Sequence, residues 1–234
     1  VDRESPAQFD VYAHRYDALL ERSLAVTGEN KEYFARGRLK WLAHCLADLQ
    51  TSPTTILDFG CGTGSTTPIF LDLFEAAQVI GLDDSAELLE VAKREFADRR
   101  TTFLRPSEFP EHSAVDLVFC SSVFHHVLPH DRRRVAEWIH SRLAPGGLLA
   151  LWEHNAWSPA ARYVMSRCEF DRDAIPLSAR EARHLLRETG FEILRTDFLF
   201  IVPRILRVFR PLELLLSKIP FGAQFQMLAR KSGA

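Results

Sequence analysis

The sequence is short of cysteine, of surplus charge and of long apolar runs, and each shortage excludes a class of protein. Its four cysteines, Cys45, Cys61, Cys120 and Cys168, stand far apart. No pair has the close spacing of a zinc knuckle or a redox motif. They read as small reduced residues of core and turn, which places the protein in a reducing, cytoplasmic compartment. Lys and Arg number 29 against 31 Asp and Glu, a net charge of −2. That balance supplies no field to gather phosphates and argues against a nucleic-acid partner, as does the lack of an Asn/Asp-Pro-Pro-Tyr run. No uninterrupted apolar run reaches the roughly 20 residues that span a bilayer. Val1–Gln8 is polar and lacks the apolar core of a secretory leader. A soluble protein is the expectation. Also missing are the Lys-Ser or Lys-Thr pair of a nucleotide-triphosphate loop and the Tyr-x-x-x-Lys pair of many nicotinamide oxidoreductases.

What remains is ordinary globular material, 47% hydrophobic over 234 residues, enough for one sizeable core and a helical cap. A single domain over 1–234 is expected, divided into a helical N-terminal cap (1–50), a cofactor-binding core (54–152) and a substrate-side segment with the last strands (153–234). In the cap, Phe34, Leu39, Leu42, Cys45, Leu46 and Leu49 recur at roughly helical spacing and imply one buried face. Short apolar runs then alternate with amphipathic stretches. Thr54–Phe59, Gln78–Leu82, Thr101–Leu104, Leu117–Cys120 and Leu148–Trp152 read as strands, with helices over Ser65–Phe74, Ala86–Ala97 and His130–Leu143. The alternation predicts a parallel sheet covered on both faces. Ser178–Thr189 reads as a helix stopped by Gly190, and Phe191–Val202 and Ala223–Arg230 as two weaker strands, paired antiparallel at one sheet edge.

The strongest local signal is Ile56-Leu57-Asp58-Phe59-Gly60-Cys61-Gly62-Thr63-Gly64, a buried strand running into three glycines at alternate positions and then a helix. Glycine permits positive φ and close approach of the backbone, and a helix start presents unpaired N–H groups to an anion. The spacing differs from the dinucleotide fingerprint G-x-G-x-x-G. About twenty residues on, the second strand ends in Asp83-Asp84-Ser85. A carboxylate there can accept hydrogen bonds from both hydroxyls of a ribose. Asp83 is assigned to the ribose, and Asp84 or Ser85 to capping the helix that follows.

At this point the chain resembles the class I S-adenosylmethionine (SAM)-dependent methyltransferases. Asp58 to Gly64 is similar to the family's cofactor loop and Asp83 to its ribose acid. Ala114-Val115-Asp116-Leu117-Val118-Phe119 resembles the fourth strand, Phe124-His125-His126-Val127 the segment after it, and Leu143-Ala144-Pro145-Gly146-Gly147 the turn into the fifth. Phe9 to Asp17 resembles an opening whose helix closes over the cofactor. The resemblance implies a Rossmann-like, doubly wound α/β sheet of seven strands, mostly parallel with the last antiparallel. It implies SAM as cofactor and S-adenosylhomocysteine as product. Besides Asp58, Gly60, Cys61, Gly62, Gly64 and Asp83, it assigns Asp84, Ser121 and Tyr16 to the cofactor. One departure stands out: Leu104-Arg105-Pro106-Ser107-Glu108 lacks the acid that often holds the adenine amino group, leaving Ser107 or Glu108 as the adenine contact.

Methyl transfer from a sulfonium needs alignment and, for a nucleophile of high pKa, a base. His154 in Trp152-Glu153-His154-Asn155 is the first candidate and His126 the second, with Glu153 beside His154. No tight pair of carboxylates accompanies these histidines in sequence, so no metal is expected. The acceptor is a small or lipid-like molecule methylated on O, N or C. Within 201–216, Arg204, Arg207 and Arg210 recur every third residue among apolar side chains. A cap helix docking its apolar face on the sheet, with solvated arginines, is the preferred reading. Peripheral membrane contact is the other. The alternative to an enzyme is a catalytically inactive SAM-binding regulatory or accessory protein. The sequence is silent on oligomeric state.

Overall fold

The computed structural model describes residues 9–232, so the polar Val1–Gln8 falls outside it. A 3-10 turn at Asp10–Arg15 leads into α1 (Tyr16–Leu24) and α2 (Lys31–Asp48), which form the cap. The core follows as β1 (Thr55–Phe59), α3 (Thr67–Leu73), β2 (Gln78–Leu82), α4 (Ala86–Phe96), β3 (Thr101–Leu104), β4 (Val115–Ser121), α5 (Arg132–Arg142) and β5 (Leu143–His154). Then come α6 (Pro159–Arg167), α7 (Ala179–Glu188), β6 (Phe191–Leu199), α8 (Glu213–Leu216) and β7 (Gln224–Lys231).

The strands form one sheet in the order β3-β2-β1-β4-β5-β7-β6. Strands β1 to β5 pair in parallel, whereas β7 is antiparallel to both β5 and β6, so six strands share one direction. The expected Rossmann-like sheet is therefore present, with its late antiparallel pair at one edge. Alternation along the strands builds two cores. Ile56, Phe119, Ala150 and Trp152 face Leu39, Leu42 and Leu46 of α2 on one side. Leu57, Val118, Leu149 and Leu151 face Ala136 and Ile139 of α5 and Ala182 and Leu186 of α7 on the other.

Local chemistry sets the helix starts. Asn30 accepts a bond from the Tyr33 N–H at the start of α2, and Ser85, not Asp84, caps α4 by accepting from the Leu88 N–H. Ser178 and Glu181 form a reciprocal capping box on α7, which Gly190 ends at φ +89°. The Pro145-Gly146-Gly147 turn is a bulge inside β5. Val115 pairs with Leu143, the register shifts, and Leu117 resumes with Leu148.

The segment after β6 departs from the preferred reading. It is a 3-10 helix at Arg204–Leu212, broken at Leu206 and holding Pro211, followed by the single turn of α8. Arg204 and Arg210 dock, and its apolar side chains face outward. Arg204 donates to the Gly28 carbonyl, and Arg210 pairs with Glu29 at 2.6 Å while lying over the Tyr33 ring. Ile205, Val208, Leu214 and Leu215 are exposed. The reason is geometric: three residues per turn stack Arg204, Arg207 and Arg210 in one row, and acceptors on the cap take up the first and last of them.

Candidate active site

A cavity of about 670 Å³ opens at the carboxyl ends of β1, β2 and β4, under α1 and α2. Strand order reverses between β2-β1 and β4-β5, and an open parallel sheet leaves its crevice at that point. One half of the cavity is built by the glycine turn. The N–H groups of Gly60 and Cys61 both donate to the Leu82 carbonyl, at 2.8 and 2.9 Å, which folds the turn back over the end of β2. Gly60, Gly62 and Gly64 all have positive φ, +75°, +54° and +73°. Their neighbours differ. A Cβ on Gly60 would strike Val123, and one on Gly64 would press on Ala92, Phe103 and Phe96. At Gly62 a Cβ would meet only the Tyr16 ring, at 3.7 Å, across the cavity.

Asp83 ties this half together. One carboxylate oxygen accepts from the Gly62 N–H at 2.8 Å and the other from the Ser85 N–H at 3.0 Å. Burial raises its pKa to about 6 against the pull of those bonds. Asp58, at the end of β1, is buried and accepts from the Thr66 hydroxyl at 2.5 Å. Burial pushes its pKa to about 7. Arg38 of α2 reaches the same cavity. It donates to the Gln224 side chain at 3.2 Å, but its Nε is buried without a partner, and so is the Ser121 Oγ. Burial lowers the Arg38 pKa to about 10. Tyr16 stacks on Phe170 with ring centres 4.9 Å apart and roofs the cavity.

The other half is a histidine and carboxylate network. Glu153, at the end of β5, is 1% exposed and does not reach the cavity. It accepts from the N–H groups of Val123 and Phe124 at 3.0 and 2.7 Å and pairs with His125 Nδ1 at 2.7 Å. On the far side of the His125 ring, Nε2 lies 3.5 Å from Asp171, which also bonds His126 Nε2 at 3.2 Å. Burial would lower the His125 pKa, but the flanking carboxylates of Glu153 and Asp171 raise it to about 10. Asp171 is held well below the carboxylate range by His125 and His126, against the effect of its burial. The His154 ring stands 5.3 Å from His125, and burial and the His125 charge lower its pKa to about 4.

Most of the residues named from sequence converge here. Tyr16, Asp58, Gly60, Cys61, Gly62, Asp83, Asp84, Ser121, His126 and His154 line the cavity. Gly64, Ser107 and Glu153 do not. Gly64 serves packing, and the lining near β3 comes from Arg105 and Pro106 instead. Sequence reasoning passed over Arg38 and Asp171. Arg38 had a signal, since it sits four residues from both Phe34 and Leu42 on the apolar stripe of α2, where a cation calls for a partner. Asp171 had none, for it lies in the irregular stretch between α6 and α7.

Residues 57–149 match the family model described as a methyltransferase domain. Among curated proteins, trans-aconitate 2-methyltransferase of Pseudomonas paraeruginosa is 28% identical over 73% of this chain and 62% of its own length. The enzyme of the same name from Delftia acidovorans is 28% identical over 56% of this chain and 50% of its own. The chain thus spans only half to three-fifths of these relatives. Solved structures share the fold. The methyltransferase determined with the Trm112 activator of Haloferax volcanii aligns over 98% of this chain and 100% of its own, with a TM-score of 0.67 at 18% identity. Human N-acetylserotonin methyltransferase, determined in complex with SAM, aligns over 99% of this chain and 60% of its own, with a TM-score of 0.64 at 18% identity.

Proposed function

We propose that the chain carries a class I SAM-dependent methyltransferase domain and methylates a small or lipid-like acceptor held against the histidine half of the cavity. One observation carries the reading: a single cavity joins the Gly62–Asp83 cradle to His126 and His154. The cradle suits SAM. Asp83 offers carboxylate oxygens to ribose hydroxyls, and Gly62 leaves the space that a Cβ would fill. Arg38, with its unpaired buried Nε, suits the carboxylate of the methionine part, and the Ser121 hydroxyl is a second unused polar group. Bound there, SAM supplies a methyl group on a sulfonium, open to in-line attack. The protein's work is then placement and exclusion of water. Tyr16 and Phe170 close the roof, His154 and His126 hold the acceptor, and Glu153 acts as a positioning residue by fixing His125.

We read 1–50, 54–152 and 153–234 as parts of one domain, serving as cap, cofactor core and acceptor side. Among the described residues no helix is long and apolar enough to cross a membrane. The outward row of Ile205, Val208, Leu214 and Leu215 supports a peripheral lipid contact of a cytoplasmic protein, which would bring a lipid-like acceptor to the cavity.

Calorimetric titration with SAM and with S-adenosylhomocysteine is the direct test. Micromolar binding of both is expected, and binding of neither rejects the proposal. The pH dependence adds a residue-level check. Below about pH 6 the Asp83 carboxyl is protonated in the free protein, and accepting from the ribose requires its loss. Affinity for S-adenosylhomocysteine should be level above pH 7 and fall about tenfold by pH 5, a tenfold loss per unit below the pKa. A flat profile between pH 5 and 7.5 removes Asp83 from the ribose. His154→Ala is expected to slow turnover of an identified acceptor by about 10²–10⁴-fold, the range for a positioned general acid or base, with cofactor affinity nearly unchanged. An unaltered rate removes His154 from the reaction.

A further inference from the structure

The acceptor half of the cavity has a second capacity that methyl transfer does not require. His125, His154 and Asp171 each present a ligand atom, and the three atoms lie within 4.8 Å of one another. Two imidazoles and one carboxylate on one side of a cavity, with the other side open, make the donor set of a facial triad. We propose that His125, His154 and Asp171 bind one divalent transition-metal ion in the cavity.

Three features on the page support this. The first is geometry. Ligand distances near 2.1 Å place adjacent donor atoms about 3–3.5 Å apart. His125 Nε2 and Asp171 already stand at 3.5 Å, and the His154 donor atom lies within 4.8 Å of both. The second is the outer shell. Ligating histidines commonly give their other ring N–H to a carboxylate, which fixes the ring and strengthens the ligand. His125 does so through Nδ1 to Glu153 at 2.7 Å, and Glu153 is itself pinned by the N–H groups of Val123 and Phe124. Asp171 is steadied in turn by His126 at 3.2 Å. The third is the open side. All three candidate ligands line the cavity, so positions not filled by protein would face a bound acceptor. An ion there takes the place of the proton between His125 and Asp171 and adds positive charge. It would therefore suit an acceptor that offers oxygen atoms, such as a hydroxy acid or a carboxylate. The expectation of no metal rested on the lack of carboxylates close to the histidines in sequence; Asp171 joins them only through the fold.

The ion is bound by protein side chains alone, so the proposal stands apart from the methyl-transfer reading and is tested without SAM or an acceptor. The full chain, stripped with a chelator, is titrated with Zn²⁺ alone by calorimetry and with Co²⁺ by visible absorption. One equivalent of Zn²⁺ and a ligand-field band typical of imidazole-bound Co²⁺ are expected. Asp171→Asn and His154→Gln should each weaken Zn²⁺ binding at least 100-fold, and Glu153→Gln by 10–100-fold, the usual effect of removing an outer-shell partner. S-adenosylhomocysteine affinity, measured on the same samples, reports whether a variant is folded and keeps failure of this site distinct from failure of the cofactor site. Absence of a stoichiometric Zn²⁺ site in the parent protein overturns the proposal. So does Zn²⁺ binding that survives undiminished in the Asp171→Asn, His154→Gln double variant. If the variants do not fold, the Co²⁺ spectrum of the parent protein decides: a spectrum of hexaaqua ion only overturns it.

Discussion

Gly62→Val is expected to weaken S-adenosylhomocysteine binding by more than 100-fold while leaving most of the fold's stability in place. Gly62 sits at φ +54°, where a β-branched residue is strained by about 1–3 kcal/mol. Part of that strain can relax in the turn, because the position opposite is the cavity. A Cβ would meet nothing nearer than the Tyr16 ring at 3.7 Å. The two methyls of valine would then stand between the turn and Tyr16, in the space assigned to the cofactor. Gly64→Val is the control, and it should behave in the opposite way. There a Cβ would lie 2.9 Å from Ala92 and 3.2 Å from both Phe103 and Phe96, so the penalty falls on packing. The check is a pair of thermal melts and a pair of calorimetric titrations. A folded Gly62→Val protein that retains micromolar affinity would take this glycine out of the cofactor site.

The second large effect is expected from Glu153→Ala. Glu153 has no solvent to fall back on, and its partners depend on it. Its removal leaves two backbone N–H groups without an acceptor and a buried, protonated His125 with Asp171 as its remaining counter-charge. Breaking a buried ion pair from one side costs about 3–5 kcal/mol. For a chain of this size each kcal/mol moves Tm by about 2–4 °C, so a fall of roughly 10 °C is expected. Calorimetric melting of the two proteins side by side checks it. A shift below about 3 °C would mean that the loop Val123–His125 is held by something other than this carboxylate.

These two residues also show what was legible in the sequence. The glycine turn, the acid at the end of β2 and the strand–helix alternation are local signals. They point to the sheet and to the Gly62–Asp83 cradle, because β1 and β2 pair side by side and bring Gly62 and Asp83 to adjacent strand ends. The sequence marks Glu153 only as the neighbour of His154 and a catalytic candidate. The period-two alternation of β5 turns the two in opposite senses, His154 to the cavity and Glu153 to the His125 loop. Asp171 could not be found, since nothing in an irregular stretch says which cavity it enters. The arginines of 201–216 misled for a related reason. Their spacing is plain, but whether a row of cations faces water or the cap depends on Gly28 and Glu29, far away in the chain.

The placement of β7 between β5 and β6 has a consequence for how the protein is made. Strand β6 leaves the ribosome before β7 and has no partner in the finished sheet other than β7. Until β7 is synthesised, β5 is an open edge whose Leu149, Ala150 and Leu151 are apolar, and β6 has nothing to pair with. An unpaired apolar edge invites pairing with other chains. A chain in which β7 has not yet docked therefore presents two unpaired edges at once, those of β5 and β6, and the docking of one late strand closes both.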